Sequence, residues 1–229
     1  MRSSGRSSPR ALTRDEVVQG AIRVIGRTGP YASMGAIAEE MGVAKPRLYR
    51  LFSDKSDLDR AIADWMVREI YRSITPDISL MMQPPRATVR RFLEAYTETI
   101  AKYPNLFRFL ALTQVAPPTD GPGLPLDVGR RMADQLAERG AGLLAAVGLD
   151  TDGVDYLTRG LVGFVVSVTD LWLGADGTPT PERTAQFVDR TTESVCALLG
   201  EFLLSKNVVA DPDTPVVATL AAISQSRPD

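Results

Sequence analysis

The 229-residue chain contains no histidine and a single cysteine, Cys196. Without histidine, imidazole acid–base chemistry, histidine triads and histidine metal sites are excluded. One thiol can form neither an internal disulfide nor a thiolate zinc site, so no disulfide framework holds the chain together. Long hydrophobic runs are scarce as well: the longest, around Leu161 to Val168, is too short to span a bilayer. The first ten residues, MRSSGRSSPR, carry arginines but no apolar segment and do not read as a secretory signal. No Walker motif, G-x-S-x-G elbow or Gly-rich dinucleotide loop is recognisable. Asp150-Thr151-Asp152-Gly153 only begins like a calcium loop, and Glu94/Glu98 have the spacing of a solvated helix face. These absences predict a cytoplasmic protein that is not an enzyme, with no cofactor, no metal and no membrane partner.

What remains is ordinary globular composition, 44% hydrophobic and 24% charged, on a chain long enough to bury a sizeable core. The net charge of −2 hides a split. Residues 1–60 carry eleven Lys/Arg against seven Asp/Glu, and residues 61–229 fifteen against twenty-one. A basic N-terminal segment on an acidic body suits a phosphate-binding head, although inert domains show similar balances.

The periodicity is helical throughout, and no apolar/polar alternation is long enough for a strand, so the expected fold class is all-α. Residues 1–11 read as a disordered basic arm. Its Arg2, Arg6 and Arg10 either reach a minor groove or merely solubilise the chain. Thr13 and Glu16 have capping-box spacing, and Val17, Val18, Ala21, Ile22 and Ile25 follow on one face. Gly29-Pro30 ends that helix. Ser33 caps a short second helix with Ile37, Ala38 and Met41 inside, and Gly42-Val43 breaks it. A third helix carries Pro46 in its first turn and is anchored by Leu48 and either Leu51 or Phe52. A fourth starts at Ser53-Asp54, with Leu58, Ala61, Ile62, Trp65 and Met66 as its apolar side. Further helices are expected over 86–103, 104–114, 124–147, 151–173 and 181–204, and residues 205–229 read as a loose tail.

Two short helices joined by a tight Gly-containing turn are what a helix-turn-helix requires. The outward residues of the second are Lys45, Arg47, Tyr49 and Arg50, three cations and a phenol able to contact phosphates and base edges in a major groove. A solvated basic face on an ordinary helical hairpin is the alternative. The segment from Leu12 to Ile62, and above all the run IAEEMGVAKPRLYRLFSDK over 37–55 followed by Leu58, resembles the DNA-binding domain of the TetR family of bacterial transcription regulators. The resembling features are the Ile-Ala pair, Gly-Val at the turn, Leu-Tyr in the recognition helix, and an aromatic and a Lys before helix four.

The resemblance implies a head over 12–60, a helical ligand-binding and dimerisation domain over 61–204, and a C-terminal tail over 205–229. It implies double-stranded operator DNA, a small-molecule effector and a second copy of the chain as partners. Lys45, Pro46, Arg47, Tyr49 and Arg50 would face the groove or the adjacent backbone, and Ser33 and Lys55 would contact phosphates. Gly35 and Leu51 depart from the residue types usual at their positions, which removes expected polar contacts there. The expected function is a ligand-responsive repressor released from its operator by a small apolar or amphipathic effector. A helical ligand-binding or adaptor protein without specific DNA binding is the alternative.

Aromatic and Met side chains at Phe92, Tyr96, Phe107, Phe109, Met132, Leu136, Phe164, Val168 and Trp172 could line an apolar pocket or simply form core. The single acid among the last of these, Asp170, could meet a ligand or an arginine at a dimer seam. Small residues at Gly160, Gly163 and Ser167, together with Val188, Val195, Leu199 and Phe202, mark the last two long helices as a possible four-helix dimer interface, with internal packing as the other reading.

Overall fold

A computed structural model describes residues 11–73, 82–112, 124–174 and 179–225. The expected basic arm, apart from Ala11, and the Pro117–Gly123 break lie outside the described residues. Ten α-helices are described: α1 Arg14–Thr28, α2 Met34–Glu40, α3 Lys45–Tyr49, α4 Lys55–Ser73, α5 Pro85–Lys102, α6 Pro104–Leu112, α7 Leu124–Ala146, α8 Val154–Leu173, α9 Pro181–Leu204 and α10 Val216–Gln225. No strand occurs among the described residues.

Local signals set the helix ends. Thr13 accepts from the Glu16 N–H at 3.2 Å while the Glu16 carboxylate accepts from the Thr13 N–H at 2.9 Å, closing the expected capping box. Gly29 ends α1 at φ 93°, and Gly42 makes the turn between α2 and α3 at φ 61°, both conformations that side chains disfavour. Of the two candidates for the second α3 anchor, Phe52 is fully buried and Leu51 half-buried.

Helices α1 to α3 pack with the first turns of α4 around Ile25, Ile37, Leu48, Phe52, Leu58 and Ile62, each with no exposed surface. The expected division at 60/61 falls inside α4, which runs without interruption from that head into the body. The head is tied to the body elsewhere too. The Asn105 side-chain amide donates to the Gly26 carbonyl at 3.0 Å, and Trp65 meets Tyr103 edge-on at 5.2 Å. In the body, α5, α7, α8 and α9 pack beside one another.

The C-terminal stretch is not a loose tail. Lys206 bonds the Asp150 carboxylate at 2.8 Å and the Asp152 carbonyl at 2.7 Å, so its ammonium sits in the Asp150–Gly153 turn that only began like a calcium loop. Val208 is buried, the Arg86 N–H donates to the Pro212 carbonyl, and the Arg86 guanidinium pairs with Asp213 and Glu193. Helix α10 follows. Its sequence, VVATLAAISQ, is apolar almost all round, so no helical face stood out against a polar one.

Candidate nucleic-acid interface and internal cavity

The α3 segment turns its two faces to different environments. Leu48 and Phe52, one turn apart, are sealed in the head core, whereas Lys45, Pro46, Tyr49 and Arg50 are exposed and Arg47 is half-buried. Tyr49 keeps 48% of its surface accessible, which leaves its hydroxyl and ring edge available. Ser33 caps α2 by accepting from the Ala36 N–H at 3.1 Å. A side chain at Gly35 would lie 3.6 Å from the Lys45 Cε, so the missing Cβ leaves the Lys45 stem room beside α2.

Two acidic groups of the head, Glu40 and Asp57, are taken up at helix seams. Glu40 on α2 accepts from Arg27 at 2.7 Å and Arg23 at 3.4 Å, and the Arg27 bond above all holds its pKa below the usual carboxylate range. Asp57 on α4 pairs with Arg14 at 2.8 Å, and this bond depresses its pKa. The Arg14 guanidinium also lies 4.0 Å over the Phe52 ring, clamping the base of α3 from outside. Among the described residues neither Lys45 nor Arg50 has an ion-pair partner. The charges of Lys45 and Arg50 therefore face solvent without an ion-pair partner.

Lys55 already has partners within the protein. Its ammonium pairs with Asp59 one turn along α4 and lies 5.2 Å over the Phe109 ring of α6. Burial pushes the Asp59 pKa up, partly opposed by Lys55. A phosphate contact by Lys55 would have to draw it from this pair. Sequence spacing alone shows Lys55 and Asp59 as an i,i+4 pair but not that α6 covers them.

The body holds a partly open cavity of about 300 Å³ between α4, α5, α6, α7, α8 and α9. Of the residues expected to line a pocket, Phe92, Tyr96, Phe107, Met132 and Leu136 do so. Phe164, Val168, Trp172 and Phe109 do not. Phe164 lies on the face of α8 opposite Val162 and Val166, which take the lining position instead. Val168 packs against the hydrophobic core outside the lining. Trp172 lies tilted against Phe187, ring centroids 5.1 Å apart, and donates its indole N–H to Thr184, fixing α8 to α9. Phe109 belongs to the head–body junction above Lys55. Sequence reasoning missed Val67 and Ile70, the α4 wall of the cavity; the signal was there, since the apolar face through Ile62 and Met66 continues to Ile70. Asp170 is exposed and away from the cavity.

The residues expected at a dimer seam also divide. Gly160 and Gly163 are exposed with open space where a Cβ would stand. Val188 and Val195 instead face their own protomer: Val188 joins the hydrophobic core and Val195 lines the cavity, because that face of α9 packs on α5. Leu199 and Phe202 are half-buried.

Residues 17–62 match the family model described as bacterial regulatory proteins, tetR family. An uncharacterized HTH-type transcriptional regulator of Mycobacterium tuberculosis strain H37Rv is 32% identical over 163 residues, spanning 70% of this chain and 67% of that one. The chain belongs to the TetR family. Known TetR-family folds superpose along nearly its whole length. A tetR-family transcriptional regulator from Streptomyces coelicolor has a TM-score of 0.62 at 16% identity, over 94% of this chain and 89% of that one. BioQ, solved with its double-stranded DNA operator, has a TM-score of 0.56 at 18% identity, over 81% and 99% of the two chains. A TetR variant from Acinetobacter baumannii AYE in complex with minocycline has a TM-score of 0.57 at 17% identity, over 85% and 98%. This TetR-family protein is thus a DNA-binding transcriptional regulator of the helix-turn-helix type, with α2 and α3 as its motif.

Proposed function

We propose that the protein is a cytoplasmic repressor that binds a near-palindromic operator as a homodimer and is released by a small apolar or amphipathic effector. The observation that carries this reading is a cationic α3 face, anchored by Leu48 and Phe52, on a head whose α4 also forms a wall of the body cavity. In this reading Lys45, Pro46, Arg47, Tyr49 and Arg50 meet the duplex, with Ser33 and Lys55 near phosphates. Residues 12–60 form the head and 61–204 the effector and dimer domain, to which the 205–225 segment is added by its docking on α5 and the Asp150–Gly153 turn. Phe92, Tyr96, Phe107 and Met132 contact the effector.

Pairing of two copies is supported by α8. By length and composition this helix, which carries Asp155, Arg159 and Asp170, could cross a membrane, yet only 22% of its apolar stretch is buried in the protomer. Tyr156 is 83% and Leu171 73% exposed, on a helix whose Gly160 and Gly163 permit close approach of another helix. A second copy seated there would hold two α3 segments in successive major grooves, roughly 34–36 Å apart or more. An effector between α4 and the rest of the body favours dimers whose heads are spaced differently, lowering operator affinity by a population shift.

Selecting DNA fragments from a genomic pool with the purified protein should recover a near-palindromic site. Arg47→Ala should then cost about 1–3 kcal/mol of binding, roughly five- to 150-fold, and relax base preference at one position per half-site. Binding that falls with salt but ignores sequence would return the protein to the adaptor reading.

A further inference from the structure

We propose that the effector is an electrically neutral, mostly hydrocarbon molecule on the order of ten carbon atoms, taken into the cavity without any charged group. The inference rests on the effector reading above and narrows its ligand class.

The walls of the cavity carry it. Among the described residues no charged side chain lines the cavity; the polar side-chain oxygens there are those of Thr88 and Tyr96. Tyr96 is already committed. Its hydroxyl lies 2.9 Å from the Thr169 hydroxyl, which itself donates to the Val165 carbonyl at 2.6 Å, so the Tyr96 proton points to Thr169. Burial raises the Tyr96 pKa far above its ordinary value, and the phenol stays neutral. Among the described lining residues a carboxylate meets no cation, and an ammonium meets no anion. Either must shed its charge, since an unpaired ion in an apolar site is unstable there. The Tyr96 oxygen is left as an acceptor for the hydroxyl of an alcohol.

Size follows from volume. An engineered apolar cavity of about 150 Å³ holds one benzene. The space of about 300 Å³ between Phe92, Met132, Val162 and their neighbours is about twice that. It suits a decyl chain or a two-ring hydrocarbon skeleton.

The test uses the full-length protein and three probes of equal length, 1-decanol, decanoate and decylamine, with binding measured by calorimetry. At pH 7.5 decanol should bind about a thousand-fold more tightly than either ion, because each ion titrates about three pH units away and must enter neutral. Decanoate affinity should rise about tenfold for each unit of pH lowered toward its own pKa. Val162→Phe or Met132→Trp, filling the space from α8 or from α7, should each reduce decanol binding at least tenfold; one variant that folds suffices, judged by an unchanged circular dichroism spectrum. Equal affinity for decanol and decanoate, decanoate binding indifferent to pH, no binding of decanol, or full binding by a filled variant would each overturn the ligand class. Operator release is scored separately on a selected fragment. Decanol that binds by these rules yet leaves DNA affinity unchanged sinks the effector reading and leaves the neutral cavity standing.

Discussion

The head and the body bury apolar side chains in opposite manners. In the head, short helices close over Ile25, Ile37, Leu48, Phe52, Leu58 and Ile62 with no exposed surface, and ion pairs such as Arg14–Asp57 and Arg27–Glu40 seal the seams outside. The body, with longer helices, leaves a cavity of about 300 Å³ and, on α8, the exposed side chains of Tyr156 and Leu171. A reading head must present α3 in one fixed orientation, and a saturated core supplies that rigidity. A body that responds to another molecule needs packing left incomplete, so that an added molecule has something to complete.

The largest effect that would sharpen this contrast is in the head. Phe52→Ala should cost about 3–5 kcal/mol in chemical denaturation, since its ring is fully buried under α3. A loss below about 1 kcal/mol would show that the head is no better packed than the body. Next comes the response to added volume. Ala21→Val in the head, where Ala21 has no exposed surface, should destabilise by about 1–3 kcal/mol. Val166→Leu on the cavity wall should instead be neutral or stabilise by up to about 2 kcal/mol. Matching signs at the two sites would break the comparison.

A smaller effect concerns Lys55, which the body holds through Phe109 and Asp59. Asp59→Asn should release its ammonium toward the duplex, tighten operator binding severalfold and steepen the salt dependence by about one phosphate contact. An unchanged slope would mean that Lys55 does not reach a phosphate.

The smallest effect is acid sensitivity. Asp57 has a depressed pKa, so its contribution is present above the ordinary aspartate value near about 3.9 and fades as pH falls through its lower folded value. Asp59, raised by burial, has the opposite sign: its ionised form costs stability, and the cost disappears as pH falls through its folded pKa. Asp57→Asn should therefore flatten the acid limb of a stability–pH curve by less than about 1 kcal/mol, because Arg14 is half exposed and the pair is screened. Asp59→Asn should steepen it.

Much of the head was legible because its signals are local. Capping at Thr13, the left-handed turns at Gly29 and Gly42 and Pro46 at the start of α3 act over a few residues, and the buried stripes follow helical spacing. The body was legible only in outline. The stripe of Phe164, Val168 and Trp172 marked a real apolar face, but whether an apolar face meets a cavity, a neighbouring helix or a second copy depends on what lies across from it. The same ambiguity moved Val188 and Val195 from an expected seam to the protomer's interior.

By itself, then, the order of residues determined the helices, their ends and the polar side of α3, since each arises from interactions within one or two turns. Tertiary structure alone decided which α8 residues line the cavity, where Lys55 places its charge and how the 205–225 segment docks through Arg86 and Lys206. Those outcomes join groups far apart in the chain, and periodicity names a face without naming its partner.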